Sequence, residues 1–273
     1  MVTLPSVVQL ISKHHKEALI SPYLEPLGIQ IQTLYDFDTD LFGTFSGEIP
    51  RREGPKITVK EKCLAGLAFG GARAAIASEG SFGPHPQIPF LSINEEWLVF
   101  IDLDQKLEIY ARSVSTEISY ANLNHMEKEQ LANFLKQHEF PKQGMVFKRY
   151  SDQKIIAKGI QDTAQLQGLL EKYQDNWLLE TDLRAHQNPL RQKNIEKAAA
   201  DLAMRLQARC PGCSTPDFSV VRTSGFLPCS LCKLPTESYA NLHYECKCCG
   251  FQKEEKRKDC FELDPEFCPH CNP

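Results

Sequence analysis

Cys210-Pro211-Gly212-Cys213, Cys229-Ser230-Leu231-Cys232, Cys246-Lys247-Cys248-Cys249 and Cys268-Pro269-His270-Cys271 crowd the end of the chain. Two thiolates separated by two residues share one tight turn and reach the same tetrahedral ion, and two such turns complete its shell. The four pairs therefore predict two four-cysteine Zn2+ sites, with Cys210, Cys213, Cys229, Cys232, Cys246, Cys249, Cys268 and Cys271 as ligands. Both ions are expected to be structural, because four thiolates leave no coordination position for water. Residues 207–273 read as a small zinc-ribbon-like module and residues 1–206 as a separate domain. Spacing does not decide which pairs share an ion. A ribbon with a hairpin over residues 236–245 would nest the pairs, 229/232 with 246/249 and 210/213 with 268/271. Sequential and crossed pairings are the alternatives. Cys248 and Cys260 are spare.

The chain has 273 residues, 42% of them apolar, and a formal charge of -4. That supports a sizeable core and gives no basic nucleic-acid field. Acids and bases nearly cancel in the tail too, so nucleic acid is not an expected partner, whereas a protein partner for the tail is. All eleven cysteines but Cys63 lie in the tail. A disulfide scaffold competes with the metal reading, but the spacing is that of metal ligands, and residues 1–12 lack a signal-peptide pattern. No run approaches the roughly 18 apolar residues of a membrane helix. A soluble, cytoplasmic protein is expected.

Working back from the tail, residues 189–209 carry the clearest helical signal. Asn188 caps it, Pro189 suits its first turn, and Ile195, Ala198, Ala199, Leu202 and Leu206 form its stripe. Strands are expected at 7–12, 29–34, 72–77, 97–103, 107–111, 145–149, 155–158 and 177–181, with 117–120 extending the sheet. Helices are expected up to Leu24 and over 58–69, 126–138 and 163–173. This alternation predicts an α/β domain with a mixed, twisted sheet and flanking helices.

Three stretches carry candidate chemistry. Ser12-Lys13-His14-His15-Lys16 lies where the first strand turns into a helix, a place suited to phosphate. Ser78-Glu79-Gly80-Ser81-Phe82-Gly83-Pro84-His85-Pro86 follows a run of tiny residues. Its Glu79 suits a Mg2+ or Mn2+ ligand or a general base, and Ser81 and His85 suit substrate contacts. Thr181-Asp182-Leu183-Arg184-Ala185-His186-Gln187-Asn188-Pro189-Leu190-Arg191 offers Asp182 and His186 as an acid/base pair. Its Arg184, Asn188 and Arg191 are candidate donors to an anionic substrate.

These last two motifs, with the paired C-x2-C tail, resemble an uncharacterised bacterial family known as a domain of unknown function. More distantly, the order of features in residues 7–112 is similar to the inosine/xanthosine triphosphatase superfamily. Lys16 near the first helix, Lys62 before a small residue, Glu79-Gly80 at a strand end, and Ala111-Arg112-Ser113 carry that resemblance. It implies a metal-dependent hydrolase acting on a phosphorylated small molecule such as a nucleoside triphosphate. Lys16, Lys62, Arg112, Arg184 and Arg191 would neutralise phosphate, and Glu79 and Asp182 would hold Mg2+ or Mn2+. The Asp-Asp-Ser-Gly motif of the standard enzymes is absent, so the alternative is a non-catalytic module that senses nucleotides or binds protein or RNA.

Overall fold

The apolar run at the N-terminus becomes β1 (Val7–Ile11), the hub of a five-stranded mixed sheet ordered β2-β1-β3-β4-β5. β2 (Gln30–Thr33) and β3 (Ala74–Pro84) run parallel to β1 on its two sides. β4 (Ser92–Asp102) and β5 (Leu107–Ser115) add antiparallel. Helix α1 (Glu17–Leu24) carries the chain from β1 to β2, and α2 (Pro55–Gly70) carries it from β2 across to β3. The strand order thus reverses at β1, which makes the β1/β3 boundary a topological switch point. The computed structural model describes residues 2–12, 16–43 and 53–273; Lys13 lies outside them. The chain divides into two compact units: Pro5–Ala203, and Met204–Pro273 with the first few residues.

Helix α2 starts with Pro55 and stops at Gly71, whose left-handed φ of 70° returns its N–H to the Leu67 carbonyl. Its Val59, Cys63 and Leu67 pack on Ile11, Ala75, Ala77, Val99 and Ile101. The helix rides close to β1 because Gly66 has no side chain: a Cβ there would lie 2.5 Å from Ile11 Cδ1.

A second sheet belongs to the same unit. β6 (Asn122–Asn124), β7 (Met145–Arg149), β8 (Ile155–Ile160) and β9 (Trp177–Thr181) pair antiparallel in the order β6-β9-β7-β8. Helices α3 (Leu131–Gln137) and α4 (Thr163–Tyr173) supply Phe134 and Leu166 to its core with Met145, Phe147, Ile160, Trp177 and Leu179. Helix α5 (Pro189–Gln207) returns to the first sheet, on the face opposite α2. There Asn194 donates to Asn94 Oδ1 at 2.8 Å and accepts from Ser113 Oγ at 2.6 Å. Strand alternation turns Leu10, Ile76, Leu98 and Phe100 to that face, all fully buried.

The structure corrects several expected boundaries. β3 does not end at residues 78–80; it pairs with β4 through Pro84, with Glu79 opposite Trp97. β4 accordingly begins at Ser92 rather than at 97. Gly80 and Gly83 are strand residues, and the proline-rich stretch after Pro84 is the turn. Residues 117–120 are irregular, and the strand falls at β6 in the second sheet.

In the Met204–Pro273 unit, β10 (Ser219–Ser224), β11 (Asn241–Glu245) and β12 (Gln252–Lys256) form an antiparallel sheet with β11 central. The hairpin expected over 236–245 is not there, since residues 241–245 form one strand that pairs with β10 and β12.

Substituting Gly66→Ala tests the close approach of α2. Alanine favours a helix by up to ~1 kcal/mol, but overpacking against Ile11 costs ~1–3 kcal/mol. A lower urea midpoint with unchanged slope is the expected result.

Candidate functional site

β3 outruns β1. The last register pair between them is Ile11 with Ala77, so Ser78 and Glu79 lie beyond the carboxyl end of β1. Two lysines converge there. Lys62, on α2, donates to the Ser78 carbonyl at 2.9 Å and pairs with the Glu79 carboxylate. Lys16, at the start of α1, donates to Ser78 Oγ at 3.0 Å. On the α5 side, Arg191 forms a two-pronged pair with Glu96, Nε to Oε1 at 2.7 Å and Nη2 to Oε2 at 3.4 Å. Ser12, Lys16, Lys62, Ser78, Glu79, Glu96 and Arg191 are all buried.

Buried ions persist only where hydrogen bonds offset their desolvation. Asn94 donates to Glu96 Oε1 at 3.0 Å, and Arg191 Nη1 donates to the Leu183 carbonyl at 2.6 Å. Gly80 makes the room: a Cβ there would lie 2.2 Å from Glu96 Oε1 and 2.6 Å from Arg191 Nη2. Lys62 and Arg191 each hold a carboxylate, whereas Lys16 has a hydroxyl partner and no ion pair among the described residues. Burial, then the nearby Arg191 and Lys62 charges, push the Lys16 ammonium from 10.5 down to about 7, against the pull of Glu96 and Glu79. Cys63, beside Lys62, is no nucleophile: burial first, then Glu108, pushes its thiol up to about 12.

The Lys16 shift has a sign. Between pH ~7 and ~10.5 the unfolded chain holds a proton on Lys16 that the folded chain does not, so stability rises with pH across this window. Below pH ~7 both states are protonated and the burial penalty is complete. Chemical denaturation across pH 6.5–10 is expected to show this rise in the wild type, on the order of a few kcal/mol, and a flatter profile in Lys16→Met.

The remaining sequence candidates lie elsewhere. Asp182 accepts from the Gly159 and Arg184 backbone amides at 3.1 and 3.0 Å and from Arg184 Nη2 at 2.6 Å, so its carboxylate orders the turn after β9. Asp182 and Arg184 line a cavity of about 280 Å³ with Tyr120, Asn122, Lys148 and Glu180; no side chain of the lysine cluster lines it. His186 sits in the single turn Ala185–Gln187. Asn188 caps α5 through the Arg191 N–H at 2.9 Å and donates to the Ser119 carbonyl at 3.2 Å. The Ser81 carbonyl accepts from Asn94 at 3.1 Å. Arg112 pairs with Glu95 and lies over the Trp97 ring, on the face opposite Glu96. His85 is at the tip of the β3–β4 hairpin, where its Nδ1 accepts from the Gln87 N–H at 3.2 Å. Six strand-spaced residues put it about 20 Å from Glu79. The structure thus brings together Ser12, Lys16, Lys62, Glu79 and Arg191, and adds Ser78 and Glu96, which sequence reading missed.

The cysteines form two clusters, Cys210/Cys213/Cys246/Cys249 and Cys229/Cys232/Cys268/Cys271, and each could hold a metal ion. The pairing is crossed, which corrects the nested expectation. Sulfurs approach at 3.6 Å (210–249), 3.5 Å (213–246), 3.9 Å (229–271) and 3.7 Å (232–268). A tetrahedral ion with bonds of about 2.3 Å holds thiolates about 3.8 Å apart. Each pair is formed by the same turn. The N–H four residues on, at Ser214, Lys233, Gly250 and Asn272, returns to the carbonyl of the first cysteine. Ser214, Lys233 and Gly250 take positive φ to do so. Metal content by mass spectrometry tests the pairing. Cys213→Ser combined with Cys246→Ser is expected to lose one of the two ions, and Cys213→Ser with Cys268→Ser to lose both.

Fold and site together define an α/β unit with a buried cation cluster at its switch point, in a chain that also carries two four-thiol centres. The chain belongs to the family described as a domain of unknown function, DUF6671, whose profile matches residues 62–273. No curated protein and no solved structure matches it. Among the described residues no helix is long and apolar enough to cross a membrane.

Proposed function

We propose that the α/β unit captures a phosphorylated small molecule of the nucleotide class at the carboxyl end of β1. The observation that carries this reading is the charge count of the buried cluster. Three cations, Lys16, Lys62 and Arg191, face two carboxylates, Glu79 and Glu96, and Lys16 is the cation without an acidic partner among the described residues. A buried uncompensated charge is costly, and an incoming phosphate oxygen relieves that cost. Open α/β sheets bind ligands in the crevice beyond the strand ends at such a switch point.

Metal-dependent hydrolysis is the second reading, supported by the carboxylate of Glu79 beside these cations. The residues do not fit a Mg2+ or Mn2+ ion as they stand, because Glu79 is held by Lys62 and Glu96 by Arg191. Asp182, the other acidic candidate, is engaged with Arg184. This arrangement favours capture of the ligand over its cleavage.

For the tail, the ion we propose is zinc. Four thiolates per cluster suit it, leave no open coordination position and give it a structural role. Thiolate ligands kept reduced fit a cytoplasmic protein. Leu231, Phe261 and Phe267, at 71%, 73% and 64% exposure, offer apolar contact to a protein partner on the unit holding the second cluster.

Titration calorimetry with nucleoside triphosphates, nucleoside diphosphates and inorganic phosphate, with and without Mg2+ or Mn2+, tests the capture reading. Binding that needs no metal and weakens ~10-fold or more in Lys16→Met is expected, as for loss of one charge-assisted contact. Absence of binding by every ligand rejects capture, and turnover with added metal replaces it with hydrolysis.

A further inference from the structure

Lys16 differs chemically from the other two buried cations. Lys62 and Arg191 are each locked to a carboxylate, while the Lys16 amine touches a neutral hydroxyl, Ser78 Oγ, at 3.0 Å. It sits where the chain leaves β1, facing Ser78 and Glu79 of β3, Lys62 of α2, Glu96 of β4 and Arg191 of α5. We propose that Lys16 Nζ is a nucleophile that condenses with the carbonyl carbon of a small phosphorylated aldehyde or ketone.

This rests on the reading of the cluster as an anion site and replaces the nucleotide by a phosphorylated carbonyl compound as its ligand. The step balances without any redox partner. The amine lone pair adds to the carbonyl carbon, one nitrogen proton moves to the oxygen, and the hydroxyl leaves as water on taking up one proton from solvent, so that a protonated imine remains. Ser78 Oγ, within hydrogen-bond reach of Nζ, can pass the nitrogen's proton toward the departing hydroxyl. A lysine reacts this way only as the free amine, and burial next to other cations is how proteins supply one near neutral pH. The lowering of Lys16 to about 7 agrees with that geometry. The protonated imine restores the positive charge that the free amine lacks.

The full-length, metal-loaded protein supplies the test. It is incubated with pyridoxal 5′-phosphate, reduced with borohydride, digested and mapped by mass spectrometry. Pyridoxal lacking the phosphate runs in parallel, and inorganic phosphate serves as competitor. At pH 7.4 an exposed lysine is free amine about one part in a thousand, so Lys16 should be modified ~100-fold or more faster than exposed lysines such as Lys128 and Lys233. The rate should fall as pH drops below 7, and inorganic phosphate should suppress it. Adducts confined to exposed lysines, on a protein that still binds inorganic phosphate by calorimetry, overturn the reactive amine and leave the anion site standing. Equal modification of Lys16 by pyridoxal, indifferent to inorganic phosphate, overturns the anionic ligand class and the anion site with it. Labelling of Ser78 by a fluorophosphonate overturns the imine, because Lys16 would then be the base for a serine nucleophile.

Discussion

The pair formed by Glu96 and Arg191 constrains where the other buried charges beyond the end of β1 can stand. It joins β4 to α5 across 95 residues of sequence and is closed to solvent on both sides. A buried ion pair is tolerable only when its remaining hydrogen-bond capacity is met, and that demand shapes the neighbourhood. Asn94 turns its amide to Glu96, Asn194 on α5 fixes Asn94, Leu183 offers its carbonyl to Arg191, and β3 must carry glycine at position 80. Polar residues 94–96 thereby belong inside a strand that apolar patterning alone would start later. With one cation and one carboxylate already matched, Lys62 and Glu79 form a second match across the switch point, and among the described residues Lys16 is left as the surplus.

The two units hold themselves together in different ways. The first buries long aliphatic and aromatic side chains on both faces of its larger sheet. The second has almost no apolar interior. Its buried residues are Leu206, Leu227, Thr215, Pro216, Thr236, and Cys210, Cys229, Cys246 and Cys268, the first cysteine of each pair. The strands between the clusters are largely exposed. The sulfur clusters stand where a core would be, so a metal ion held by each would link folding of this unit to its binding, as in small thiolate-bound domains. The recurring turn returns a backbone N–H to the first cysteine of each pair and, in three of the four, puts a left-handed residue after the second.

Legibility in the sequence followed the range of the interaction. Helix α4 and strand β9 were readable to the residue, because capping by Asp162 and apolar runs are local signals. The eight ligands were readable from spacing, but their crossed sharing was not, because the spacing is identical in all four pairs and the partner is set by how β10, β11 and β12 fold back. The stretch from Ser78 to Pro84 misled through composition. Glycine and serine suggested a loop, whereas here small residues let a strand lie against Glu96 and Arg191. Lys16 and Glu79 were found because each was read next to a turn or strand end, and Lys62, which lies inside α2, through the family resemblance. Glu96 was missed because its only sequence signal, Asn94-Glu95-Glu96 ahead of an apolar run, does not name a partner on α5.

Topology explains why the surplus charge falls at Lys16 rather than elsewhere. Beyond the end of β1, β3 continues without a neighbour on that side, and its Ser78 carbonyl must find a donor that is not a strand amide. Lys62 fills that role and, being cationic, draws Glu79 inward with it. Lys16 stands directly before α1, which begins at Glu17. A long side chain at position 16 reaches Ser78 Oγ from the opposite face, into a region where both carboxylates are already taken. A lysine so placed cannot hold its proton as tightly as one in water. It yields the proton near neutrality or gains an anion, and both outcomes make the mouth of β1 the chemically responsive point of the sheet.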